Sequence, residues 1–174
     1  FGEIIGVETE VELVDGQTFT NNKNKVIDNI TYTRTLSKTN TWNALYVPFE
    51  IPVSEIENKY EVAYINNIHS YDTDDNGTID DLNMEIIKIK SGTLKANYPY
   101  LIKAKTDAEK QMNISLNNVM LFETKSTTID CSSAYTIHNI TGIYNRMSSN
   151  ELIGSLAIST EGAWQPLSSN SHLD

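Results

Sequence analysis

From residue 30 to residue 36 side chains alternate with a period of two, with Thr31, Thr33 and Thr35 on one side and Ile30, Tyr32, Arg34 and Leu36, apolar but for the arginine, on the other. A period of two built largely from β-branched and aromatic residues predicts a strand with one solvated face. The same reading predicts strands over residues 45–51, 60–66, 84–90 and 98–105, and less regular ones over 112–116, 119–122, 135–143 and 156–164. Within residues 42–49 the alternation buries either Leu45, Val47 and Phe49 or Ala44 and Tyr46 on one face. Asp15-Gly16, Asn76-Gly77, Ser91-Gly92 and Glu161-Gly162 punctuate the chain as turns, at irregular spacings that suit hairpins and crossovers better than βαβ units. One helical exception is predicted: after Pro52, Ser54 and Glu57 read as a capping box opening one or two turns over residues 55–59. The predicted fold is all-β, a two-sheet antiparallel β-sandwich with at most one or two short helical turns. No internal repeat or Pro/Ser-rich linker divides the chain, so residues 1–174 read as a single domain, with residues 1–25 as a lead strand and loop.

Composition narrows the function classes. Thirteen Lys and Arg against 23 Asp and Glu leave a net charge of −10. A nucleic-acid partner needs the opposite sign, because its affinity comes from cations that replace counterions on phosphates. No apolar run approaches the roughly 18 residues that would cross a bilayer. No basic amino-terminal stretch followed by an apolar one opens the sequence, which leaves its compartment undecided. A single cysteine, Cys131, offers neither an intrachain disulfide nor a CxxC pair, and no reactive signature surrounds it. Its expected place is a buried or half-buried position near a strand end. Nineteen asparagines crowd the segments between apolar runs, where turns are expected.

The most specific local pattern is acidic. Residues 72–80 match the first nine positions of an EF-hand-type calcium loop. Asp72, Asp74 and Asn76 stand at positions one, three and five, Gly77 at the sharp turn, Thr78 at the carbonyl position and Asp80 at nine. Position twelve, normally a bidentate Glu, is Asn83. Strands are predicted on both sides where an EF-hand has helices, so a helix-loop-helix is not expected. Asp72, Asp74, Asp75, Asp80 and Asp81 crowd five like charges into ten residues. That crowding is relieved either by solvent, in an ordinary hairpin tip, or by a hard cation; oxygen-only ligands would select calcium as the cofactor.

Catalytic signatures do not emerge. His69, His138 and His172 are scattered, and GxSxG, P-loop and GxGxxG patterns are absent. The sequence therefore reads as non-catalytic. The remaining candidates are aromatic. Trp42, Tyr46, Phe49, Tyr98, Tyr100, Tyr144 and Trp164 include rings that could form a sugar-stacking platform, with Trp42, Tyr98, Tyr100 and Trp164 as the ligand-binding candidates.

Five phrases carry a resemblance. They are Tyr32-Thr33-Arg34-Thr35, then Trp42-Asn43-Ala44-Leu45-Tyr46-Val47-Pro48-Phe49, then Glu61-Val62-Ala63-Tyr64-Ile65-Asn66, then residues 72–79, then residues 90–102. In this order they resemble the β-rich domains of Bacteroidetes surface proteins described as cell-adhesion proteins and found beside leucine-rich repeats, over roughly residues 26–164. The resemblance implies an extracellular, cell-surface module associated with the outer membrane, with a binding or adhesive role. Its partner would be a host or matrix protein, a glycan, or a neighbouring domain of the same protein. A carbohydrate-binding or accessory domain of a glycan-processing system is the alternative. Such domains run on into a further strand after the position of Trp164, whereas this sequence stops at Asp174, and a missing edge strand would leave an exposed sheet edge prone to pairing with another copy.

Overall fold

The computed structural model describes residues 9–77, 80–133 and 136–144, and the backbone of 156–158 and 164–166. In chain order the strands are β1 (Glu10–Val14), β2 (Lys25–Thr35), β3 (Asn43–Leu45), β4 (Ile51–Pro52), β5 (Tyr60–Tyr71), β6 (Asp81–Ile89), β7 (Thr93–Leu94) and β8 (Tyr100–Ala104), followed by β9 (Gln111–Leu121), β10 (Thr127–Asp130), β11 (Asn139–Gly142), β12 (Leu156–Ile158) and β13 (Trp164–Pro166). A four-residue helix, α1 (Val53–Ile56), and a 3-10 turn at Ala108–Lys110 complete the described elements. The fold is all-β. One sheet has the order β1-β2-β9 and the other β3-β8-β5-β6. Ile27, Ile30 and Tyr32 of β2 and Met112, Ile114 and Leu116 of β9 share one buried cluster with Leu45, Val62, Tyr100 and Ile102 of the second sheet. The two sheets thus meet face to face, and the threonines of the 30–36 alternation point away from this core.

The second sheet is covered on its other side as well. Ala63, Ile65, Ile68 and Leu101 form a second buried cluster with Cys131, against which Ile129 and Ile140 of the β10–β11 hairpin pack. Backbone and side-chain bonds fasten this layer to β5: Ile68 N donates to Cys131 O at 2.8 Å, and Thr136 Oγ1 to Ile68 O at 3.2 Å.

Several elements depart from the sequence-based expectation, each for a physical reason. The first sheet is not wholly antiparallel, because β1 pairs parallel to β2, Glu10 opposite Asn29 and Val14 opposite Thr33. Gly16 turns the chain at φ 79°, but residues 15–24 then carry it back to re-enter in the same direction instead of closing a hairpin. Residues 45–51 do not form one strand. Pro48 lacks a ladder donor, and Phe49 makes only an isolated bridge to Leu121. Leu45, Val47 and Phe49 are nevertheless the buried set. The capping box does not form: Pro52 is the N-cap, Ser54 lies inside α1, and the free N–H of Val53 donates to Gly92 O at 2.9 Å. Residues 112–116 and 119–121 belong to the single strand β9, with Asn118 at φ 53° between them, and the strand ends before Phe122. Of residues 156–164, Leu156–Ile158 form β12 and Trp164 opens β13, which pair antiparallel, and 159–163 lie outside the described residues. Tyr135 lies outside the described residues.

Candidate functional site

The acidic loop is the tip of the β5–β6 hairpin. The ladder runs to Tyr71 opposite Asp81, and Asp80 N donates to Tyr71 O at 2.8 Å, so the strands hold the two ends of the loop together. Asp75 at φ 56° and Gly77 at φ 84° then reverse the chain, both in the left-handed region that Asp and Gly tolerate best. Inside the loop the carboxylates of Asp72, Asp74 and Asp80 each accept from backbone N–H groups. Asp72 accepts from Asn76 N at 3.1 Å and from Gly77 N at 2.6 Å. Asp74 accepts from Asn76 N at 3.3 Å and Asn76 Nδ2 at 2.9 Å. Asp80 accepts from Thr73 N at 2.8 Å and Thr73 Oγ1 at 2.6 Å, bonds that hold its carboxyl below the usual carboxylate range.

These bonds bring one carboxylate oxygen each of Asp72, Asp74 and Asp80 within 4.8 Å of one another. Oxygens placed about 2.4 Å from a common calcium ion lie at most about 4.8 Å apart, so the trio fits one hard cation. Asn76 is in the same loop, but meets Asp74 through its amide nitrogen, not its oxygen. Thr78 lies outside the described residues. Asn83, the residue at position twelve, stands opposite His69 in the ladder, two residues down β6 from Asp81. A strand in place of an exiting helix carries that side chain away from the loop, so the EF-hand's closing ligand has no counterpart among the described residues, and solvent would complete the shell.

Among the described side chains, the aromatic candidates Trp42, Tyr98 and Tyr100 are not gathered into one platform. Trp42 is half-buried against the outer cluster of the second sheet, with Lys103 Nζ 4.9 Å from its ring centroid. Tyr98 and Tyr100 stack on each other, centroids 4.9 Å apart, but they belong to the inter-sheet core, and the Tyr100 hydroxyl accepts from Lys95 N at 2.9 Å. Burial pushes both phenols upward. Trp164 lies in β13, where only the backbone is described. Two other rings from the sequence set do meet, Tyr46 and Tyr144, with centroids 4.7 Å apart.

Cys131 is buried just after β10, and its Sγ lies 3.6 Å from Ile65 O. Burial raises its thiol, with the charge of Asp130 adding to the effect. His138 Nε2 lies 3.1 Å from Ser70 Oγ, one more contact between the β10–β11 layer and β5. Sequence reasoning missed the buried asparagines Asn21, Asn43 and Asn97, whose signal was hidden among the nineteen of the chain. Among the described residues no helix is long and apolar enough to cross a membrane. Comparisons with protein-family models, curated proteins and solved structures find no match to this chain.

Proposed function

We propose that this chain is a non-catalytic extracellular binding module, of the adhesion type that the sequence resemblance implies, whose β5–β6 tip is stiffened by calcium. The observation that carries the reading is the convergence of Asp72, Asp74 and Asp80 at the end of a long hairpin. Three ionised carboxylates pointed at one another repel, and a cation between them turns that repulsion into attraction. With three carboxylates, Asn76 nearby and solvent for the remaining positions, the site is a weak one, matched to the millimolar calcium of an extracellular module. Mg²⁺ suits it less, because it demands a near-ideal octahedron and gives up its waters reluctantly. The cation's part is structural: it would hold the hairpin tip in one shape for a partner at the cell surface.

A thermal melt in EDTA and then in millimolar Ca²⁺ tests this, because a ligand that prefers the folded chain raises its midpoint by mass action. A rise of several degrees that is absent in Asp74→Ala supports a calcium-stiffened module. An unchanged midpoint, or an equal rise in the variant, returns the loop to a solvated turn.

A further inference from the structure

Beside the first sheet, on the side of the β1–β2 connection, a cleft of about 370 Å³ opens between the turn at residues 15–19 and the Tyr46–Tyr144 pair. We infer that this cleft is a binding site for a neutral saccharide. The inference rests on the reading of the chain as a non-catalytic binding module and names a ligand class for it, at a place distinct from the acidic loop.

Three tyrosines line the cleft, and each has its polar end tied to protein. Tyr46 donates its hydroxyl to Lys125 O at 2.6 Å, Tyr144 to Asn97 Oδ1 at 2.8 Å, and Tyr32 to Asp15 Oδ1 at 2.9 Å. Tyr46 and Tyr144, half-buried and anchored in this way, present carbon surface without further ordering cost, which is the preorganisation that small-ligand sites need, whereas Tyr32 is only 4% exposed and belongs to the core behind them. Gly142 packs so closely on Tyr46 that a Cβ there would collide with the ring's Cε2, so the backbone of Gly142 backs the ring on that side. Phe19, half-buried, adds apolar surface on the turn side.

The rim is polar. The exposed side chains of Gln17 and Thr18 line it and have no hydrogen-bond partner among the described residues, so an amide and a hydroxyl are available as both donors and acceptors. Asp15 also faces the cleft, but Arg34 Nε sits 3.2 Å from its Oδ2 and compensates the charge. The rim therefore favours neither an anion nor a cation. The walls select further. Tyr46 and Tyr144 are inclined at 41° with centroids only 4.7 Å apart, so no flat ring slides between them, and what they offer is one inclined apolar wall. A chair-shaped sugar meets both demands, with axial C–H bonds on the tyrosine faces and equatorial hydroxyls toward Gln17 and Thr18. The volume sits at the lower end of the about 300–1,000 Å³ usual for ligand pockets, which suits a terminal sugar or a disaccharide.

The test uses the full chain, fluorescently labelled, on an array of immobilised mono- and oligosaccharides, in EDTA and again in Ca²⁺. Each sugar that gives a signal is then titrated calorimetrically into wild type and into the Gln17→Ala/Thr18→Ala double variant. The expected result is binding of a neutral sugar that weakens at least tenfold in the double variant, with its melting midpoint unchanged. Asp74→Ala should bind the same sugar as well as wild type does, so failure of the calcium reading and failure of the cleft are seen separately. A silent array, or affinity unchanged in the double variant, overturns the proposal. Displacement of the sugar by tetramethylammonium at constant ionic strength also overturns it, by assigning the tyrosines to a cation.

Discussion

Asn97 condenses what single residues do in this fold. It is buried, it adopts φ 53°, and its backbone N–H and both ends of its side-chain amide are hydrogen-bonded. Its N–H donates to Val47 O at 2.8 Å, its Nδ2 to Glu123 O at 3.0 Å, and its Oδ1 accepts from the Tyr144 hydroxyl at 2.8 Å. Asn21 works in the same way, with its Nδ2 donating to Phe122 O at 2.8 Å, and Asn43, whose Oδ1 accepts from Ser37 N at 3.0 Å, ties the loop before β3. Asparagine suits such positions because one short side chain both donates and accepts and tolerates left-handed backbone. In the sequence these three are indistinguishable from the asparagines of exposed turns, since composition marks where Asn is frequent but not which copies are buried. Asn97→Ala leaves the Tyr144 hydroxyl and the Glu123 carbonyl without this partner and places a Cβ at positive φ without local hydrogen bonds. The expected cost is about 2–4 kcal/mol, read as a lower urea midpoint at unchanged slope. Asn97→Gly, which accepts the backbone angle but loses the same side-chain bonds, should fall between wild type and Ala; equal stability of all three would show that the amide contributes nothing.

Among the elements, those set by local pattern were legible. Alternation located β2, β5 and β6, and the Asn76-Gly77 signal marked the reversal between the last two, because period and turn chemistry are properties of neighbouring residues. What depends on distant partners was not legible. The direction of β1 follows from the path of residues 15–24, the start of α1 follows from the Gly92 carbonyl that takes up the Val53 N–H, and the division of residues 45–51 follows from what β8 and β9 offer as neighbours. The candidate site divides likewise: the acidic residues that share one loop were readable from spacing, whereas the Tyr46–Tyr144 contact joins residues nearly a hundred positions apart. Cross-strand electrostatics gives a test at this scale. On the outer face of the second sheet Glu61 Oε2 of β5 lies 2.9 Å from both Lys103 Nζ of β8 and Lys88 Nζ of β6. Their hydrogen bonds, Lys103 first, hold the Glu61 carboxyl below its ordinary 4.5. A depressed carboxylate contributes stability that is fully present above its unfolded value and lost as pH falls through its lower folded value. The melting-point difference between wild type and Glu61→Gln should therefore be largest above pH 4.5 and shrink as pH falls below it. A difference constant over that range would mean that the three strands are joined without help from the charge.

At the scale of the molecule, layers and charge are arranged differently. The second sheet is buried on both faces, by the first sheet and by the β10–β11 layer, so its central strands carry apolar side chains on both sides, and Ile102 and Leu101 of β8 serve different cores. Charge is displaced to the periphery. Asp72, Asp74, Asp75, Asp80 and Asp81 supply five acidic groups to one hairpin tip in a chain whose net charge is −10. Mutual repulsion of like charges destabilises the compact state, and it is screened once the Debye length falls to about 8 Å at physiological ionic strength. The melting midpoint in EDTA should rise as sodium chloride increases from low millimolar to physiological levels. If the tip is the main source of that repulsion, Asp75→Asn/Asp81→Asn should flatten the salt dependence, because these two residues add charge without belonging to the converging trio of Asp72, Asp74 and Asp80. The same double variant should keep its response to Ca²⁺, since every carboxylate of the trio remains. A salt dependence unaltered by the double variant would instead assign the repulsion to charges spread over the sheets, and a lost calcium response would mean that the ion is held by the charge of the tip as a whole and not by those three oxygens.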